Sequence, residues 1–474
     1  MKAGSEQCKP AKRNDRSSTG NRNPTQGSAS LWWLHPFWVM AAPVLILSLI
    51  ALLLPEAAYR DNWRTPKAFD SDSFGLCLAV VVVFTAGGLL ASWIDAGFSP
   101  HRRFAPGPRD SRFGARELKI LFAGAFAVTV FGYAIWFGSI LRHGGIGMFA
   151  NVLLAGEAAP DVLKQSAADS TITGVTTITQ FGMGTAMLGT YLGFTQGWRK
   201  VRRPLLLLLF FTTVRAVFLS ERLSLIEMAL PSAVLFIRLI DYGRDRIAVR
   251  RFLAVAPIIG ILGLYMLFTF TEYFRSWSTF YAGRDEQSLF AFSLLRLLGY
   301  YVTALNNGAI EWQANGSFYF PHSTMAWLWK FPLIGETLQH ALGGTTSPSD
   351  LRLALMKAEG NPEFNNPSGI FTVFMDFGVP GTLLYFAVYG FTAVLLYSSY
   401  RRGSIVGLFL YSFLLTGLTD QARILYSHSG RAFPTWPLLL LVVLISRSKV
   451  RRHAPINAPS GQTASNPACD CRSG

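Results

Sequence analysis

Long apolar runs separated by short basic clusters set the pattern of this chain. A helix that crosses a bilayer needs about twenty mainly apolar residues. Ten segments reach or approach that length: Leu31–Leu54, Phe74–Ile94, Leu118–Leu141, Thr173–Gln196, Pro204–Leu219, Leu223–Ile240, Phe252–Thr271, Val379–Tyr397, Ser404–Leu418 and Phe433–Ile445. Lys9, Lys12, Arg13, Arg16 and Arg22 precede the first run. Every second loop after it is basic again, from Arg102, Arg103, Arg109, Arg112 and Arg116 through Arg199–Arg203, Arg244–Arg251 and Arg401–Arg402 to Arg447–Arg452. The alternate loops are mixed or acidic, as in Glu56, Arg60, Asp61, Arg64, Lys67, Asp70 and Asp72. Basic loops stay in the cytoplasm, so ten spans with both termini inside satisfy every loop. The expected fold is an all-α integral membrane protein.

The stretch from Glu272 to Pro367 falls on the outer side and is the largest loop. Within it, Leu289–Leu305 is apolar but interrupted by Arg296, and Trp327–Ile334 is a short aromatic run. These read as interfacial helices, re-entrant pieces or one further hairpin, which sets the range at ten to twelve spans. The plan is then a polar cytoplasmic tail (1–30, of disordered composition), seven spans (31–271), the outer loop (272–367), three spans (368–446) and a second polar tail (447–474). No small-residue cleavage site follows the first apolar run, which reads as a retained anchor. Internal repeats are not visible, against the repeat-built transporter folds.

Composition agrees. Hydrophobic residues make up 51% of the chain and charged residues 15%, with 37 Phe. A net charge of +16 would suit nucleic acid if it lay on one face, but it is divided among the loops, so the partner is the lipid bilayer. Of the cysteines, Cys8, Cys469 and Cys471 lie in tails expected to be reduced. The outer histidines, His143, His322, His340 and His428, lack metal-ligand spacing. No G-x-S-x-G, H-E-x-x-H or phosphate-binding Gly-rich loop occurs, so no metal or cofactor is expected.

Ionisable groups inside spans are costly and mark function or pairing. Arg215 and Glu227 lie at similar depth on either side of the tight turn Ser220-Glu221-Arg222. They either pair to hold the hairpin or leave Arg215 and Arg222 facing an outward cavity. Arginine suits a diphosphate because its planar fork binds two oxygens and never loses its charge. Arg284 and Arg296 from the large loop and Arg423 and Arg431 from the last outer loop are further diphosphate candidates, beside Arg275 and Arg352.

The run Asn365-Asn366-Pro367-Ser368-Gly369-Ile370-Phe371, followed by Asp376-Phe377-Gly378-Val379-Pro380-Gly381, resembles a pattern of the O-antigen polymerases, the Wzy-type enzymes that join oligosaccharide repeat units. Arg215–Leu223 is similar to that family's paired arginines on a tight outer hairpin, and the plan of spans around one dominant outer loop fits as well. The resemblance implies glycosyl transfer at the periplasmic face of a bacterial inner membrane. A glycan would leave undecaprenyl diphosphate and join a second undecaprenyl-diphosphate-linked unit, inverting and without metal, beside a flippase and a chain-length regulator. Asn365, Asn366 and Gly369 would form the acceptor motif. Asp376, Asp420, Glu311 and His322 are candidates to take the acceptor proton, and Trp312, Tyr319, Trp327 and Trp329 to stack on sugars. Helix-breaking residues at Pro367 and Gly378–Gly381 put Ser368–Phe377 along the interface, with Asp376 at headgroup level. An O-antigen ligase shares the architecture, but that family's His before the Asn is replaced here by Glu363-Phe364. A flippase-type transporter is the non-enzyme alternative.

Overall fold

The computed structural model describes residues 28–98, 115–155, 175–218, 223–243, 247–273, 277, 281, 288–317, 319–329, 331, 335–342 and 348–453. Residues 1–27 and 454–474 of the polar tails, with the Cys469-Asp470-Cys471 triplet, and Arg222, Arg275 and Arg284 lie outside the described residues, whereas the second tail, expected to start at 447, begins as helix through His453. Among the described residues every regular element is helical. The main helices are α1 (Phe37–Leu53), α2 (Glu56–Trp63), α3 (Ser71–Phe98), α4 (Ala115–Ala155), α5 (Phe181–Gln196), α6 (Arg202–Phe218), α7 (Leu223–Gly243), α8 (Ile247–Glu272), α9 (Leu289–Asn315), α10 (Gly369–Arg401), α11 (Gly407–Thr419) and α12 (Thr435–His453). Each of the ten apolar segments coincides with helix. Six of the described helices (α3, α4, α7, α8, α9 and α10) are long and apolar enough to cross a membrane, or up to seven if the bent pair α1–α2 counts as one.

Four segments differ from expectation, each for a local reason. The first run is not one straight helix: a 3-10 stretch, Ser28–Leu34, precedes α1, and the chain turns by 101° into α2 at Pro55. The left-handed Arg64 (φ 51°) then ends α2. The fourth run breaks at Gln180, between Val175–Thr179 and α5. Leu289–Leu305 is neither short nor broken at Arg296. It belongs to the 27-residue α9, capped by the Ser288 hydroxyl and ended at Gly316 (φ +64°). Finally, α10 starts at Gly369 rather than Val379, so Ser368–Phe377 does not lie on a surface. Gly369 through Asp376 are all buried. The helix is broken inside the bundle at Gly378 (φ +63°, ψ −171°), a conformation glycine tolerates, and Pro380 suits the first turn of the restarted helix.

Side-chain register sorts the bundle into two ends. Helices α3 and α10 run parallel, with Phe69 against Phe371 (6.4 Å) at one end and an Asp95–Arg402 ion pair (2.7 Å) at the other. Gly87 and Gly390 bring these two backbones into contact. A Cβ on either would lie 2.0 Å from a carbonyl oxygen of the other helix. The consecutive helices α8 and α9 also advance together rather than folding back. The Tyr265 hydroxyl donates to the Phe290 carbonyl (2.7 Å), and about two helical turns on in each, Glu272 pairs with Arg296 (2.8 Å). One end of the bundle holds Trp33 on the Leu253 carbonyl (3.1 Å) and Arg238 on the Tyr400 carbonyl (3.1 Å). The opposite end holds Trp63 on the Leu295 carbonyl (3.2 Å) and the Asn306 side chain bridging Ala68 N–H (2.7 Å) and the Pro66 carbonyl (2.8 Å). The candidate residues gather at this second end.

Candidate functional site

The turn between α11 and α12 is the meeting point. Asp420 ends α11 with 8% of its surface exposed, and Arg423, one turn on, approaches it at 3.7 Å while covering the Tyr300 ring of α9 at 5.9 Å. Arg431, further along, reaches Glu227 of α7 at 3.5 Å. The Tyr426 hydroxyl is hydrogen-bonded to the same buried carboxylate. Beyond Glu227, Arg215 of α6 is buried and donates to the Thr179 hydroxyl (2.7 Å). Tyr133 of α4 touches Thr212 (3.0 Å) and lies within hydrogen-bonding reach of Arg215. Three arginines and two carboxylates from α6, α7 and the 420–433 turn therefore share one polar nest. The Arg423 and Arg431 side chains are 22% and 32% exposed, so part of each guanidinium reaches the surface of the nest. Burial lifts the Asp420 carboxyl to about 6, with Arg423 opposing and Glu227 adding to the rise. Burial also holds His428 below the usual histidine range, with the Tyr385 hydroxyl 3.3 Å from its Nδ1.

The Asn-Pro lead-in to α10 closes one side of this nest. The Asn307 amide of α9 donates to the Asn366 carbonyl (3.2 Å) and to that of Phe364, and Ser368 N–H donates to the Ala304 carbonyl (3.0 Å). Gly369 N–H donates to the Gln421 carbonyl (3.0 Å). A Cβ on Gly369 would sit 2.6 Å from Gln421 Nε2 and 2.9 Å from the Ile424 carbonyl carbon, so only glycine allows this approach. Asn365 is exposed and Asn366 half-buried, beside rather than inside the cluster.

The remaining candidates are engaged elsewhere. Both oxygens of Asp376 accept from Ser323 N–H (3.0 and 2.9 Å), and one also accepts from Thr324 N–H (2.6 Å) and the Thr324 hydroxyl (2.7 Å). This carboxylate is fully buried and fastens the 319–329 turn to α10. Glu311 is buried in an ion pair with Arg352 from the short helix Pro348–Ala358. Arg296 is 5% exposed, paired with both Glu272 and Glu363 and flanked by the Phe292 and Phe364 rings, so its charge is already neutralised. His322 is half-buried against Phe320, on the turn that Asp376 holds. No protein-family model, curated protein or solved structure matches this chain.

Sequence reading missed Tyr426, Tyr301, Gln180 and Gln421, all buried or nearly so near this nest. Each is a single uncharged polar residue, and the position of its partner in the bundle is not carried by local sequence. The usable hint was the Thr-Asp-Gln run closing an apolar helix. Among the described residues no three His, Cys, Asp or Glu side chains come together as metal ligands.

Proposed function

We propose that this chain polymerises undecaprenyl-diphosphate-linked oligosaccharide repeat units into a surface polysaccharide. In this reading Arg215, Arg423 and Arg431 hold the diphosphate, and the charge that develops as the glycosyl–oxygen bond breaks is stabilised by guanidinium groups already in place. The observation that carries it is the placing of Arg423 and Arg431 against the buried carboxylates Asp420 and Glu227 on one turn, with Arg215 of α6 behind them across Tyr133. In this reading the membrane is a bacterial inner membrane, and the basic loops support putting this end of the bundle outside and both termini in the cytoplasm. On the same reading the chain crosses ten times, and the parallel course of α8 and α9 supports counting no antiparallel hairpin between them.

A deletion strain is the first test. Loss of a polymerase leaves single repeat units on the lipid acceptor, whereas loss of a ligase leaves bare core with long chains stranded on undecaprenyl. Unchanged glycan would remove both readings and favour the transporter. In the complemented strain, Arg215→Ala and Arg431→Ala are expected to abolish long chains at normal membrane levels. Full polymerisation by Arg215→Lys together with Arg431→Lys would refute bidentate diphosphate binding.

A further inference from the structure

Native interiors leave few polar groups without partners, because each such group forfeits the hydrogen bonds it made in water. Yet four side-chain polar groups on the short path Thr416–Arg423 contain buried atoms with no partner among the described residues. They are Thr416 Oγ1, Asp420 Oδ2, both ends of the Gln421 amide, and Arg423 Nε. Gln421 is the most telling, being 1% exposed with donor and acceptor both open. Its amide nitrogen is pressed against Gly369 at the head of α10, so the side chain is held in place by packing rather than by polar contacts. Thr416 and Asp420 are four residues apart and share a helix face. The group they await must accept from an amide N–H and donate to a carboxylate or amide oxygen at once, which a hydroxyl does.

We infer that the end of α11 is the acceptor subsite, where Asp420 Oδ2 and the Gln421 amide grip one hydroxyl of the incoming saccharide. This rests on the proposed glycosyl transfer and identifies its second substrate. The hydroxyl oxygen forms a bond to the anomeric carbon of the donor glycan, the bond from that carbon to the diphosphate breaks, and its electrons leave with undecaprenyl diphosphate. The hydroxyl proton passes to Asp420 Oδ2. Asp420 is then the catalytic base, and Gln421 orients the nucleophile. Asp376 and Glu311 are excluded from that task by their own contacts, whereas Asp420 keeps an oxygen open beside the arginine nest.

The test uses full-length protein in detergent, with lipid-linked oligosaccharide extracted from the deletion strain as probe. Gln421→Met keeps the side-chain length and removes both open polar atoms. Its polymerisation rate is expected to fall by about ten- to a hundredfold, while its thermal midpoint stays the same or rises, since unsatisfied groups have been removed from the interior. The parent rate is expected to rise through about pH 6, and Asp420→Asn is expected to lose both turnover and that rise. A Gln421→Met protein that polymerises at the parent rate overturns the subsite, and so does one with a lowered midpoint, which would mark Gln421 as structural. If the deletion strain accumulates no lipid-linked repeat unit, the polymerase reading itself fails. A probe that accumulates and is polymerised equally by parent and variant refutes the subsite alone.

Discussion

Removing the Arg296 guanidinium would strand Glu272, which has no exposed surface, next to two aromatic rings. Breaking one side of a buried pair costs roughly 3–5 kcal/mol, so Arg296→Ala is expected to lower the thermal midpoint of the detergent-solubilised protein sharply. Asp420 lies at a helix end outside the spanning segments and should behave in the opposite way. Its carboxyl is raised to about 6 by burial, so the folded state binds the proton more tightly than the unfolded chain. Stability contributed by Asp420 is therefore present at low pH and is lost as pH rises through about 6, a difference on the order of 3 kcal/mol. Asp420→Asn should raise the midpoint at pH 7.5 and flatten its decline between pH 4 and 6, and a lowered midpoint would contradict that assignment of strain. The two groups looked alike in the sequence, each a lone charge near an apolar run. What separates them are partners such as Glu363, 67 residues from Arg296, which no local pattern reports.

At the level of elements, helix existence was legible because apolar length is a local property, and each of the ten runs is helical. The errors fall where distant contacts decide. Arg296 argued for an interruption, but its two carboxylate partners let α9 continue through it. Pro367 and Gly378–Gly381 argued for a break in the helix with Ser368–Phe377 along an interface, but that stretch is buried helix, and the 319–329 turn supplies donors to Asp376 from more than fifty positions away. Its replacement by Ala leaves the Ser323 and Thr324 amides without their acceptor, at a cost of roughly 1–3 kcal/mol. Amide hydrogen exchange should then accelerate in residues 319–329 while α3 stays protected, and an unchanged pattern would mean the turn is held by other contacts. Gly369→Ala acts at the next joint. A methyl group 2.6 Å from Gln421 Nε2 must push α10 from the 420–424 turn, so polymer length should drop even with normal membrane insertion.

For the whole molecule, the register of paired helices assigns residues to ends without reference to charge, and the two criteria agree. Asp95, Arg238 and Arg402 share one end, and Trp63, Asn306 and the arginine nest the other. Single cysteines at the exposed positions Gln313 and Arg402, in a chain with its own cysteines replaced, test the proposed sidedness. A membrane-impermeant thiol reagent should label position 313 in intact cells and position 402 only after lysis. Labelling of both would put the two ends of α10 on the same side, and labelling of 402 alone would invert the proposed sidedness. Clustering of Asp420, Glu227 and Arg431 was invisible in the chain because the pairing residues are about two hundred positions apart. The parallel course of α8 and α9 also bears on how the protein is made. A segment as apolar as α9 would ordinarily be released sideways into lipid as it leaves the ribosome. Here the charge of Arg296 finds its second carboxylate, Glu363, only after some sixty more residues have been synthesised. Biogenesis thus has to hold α9 uncommitted at the membrane until the chain downstream arrives, which makes this helix the step most dependent on assistance during insertion.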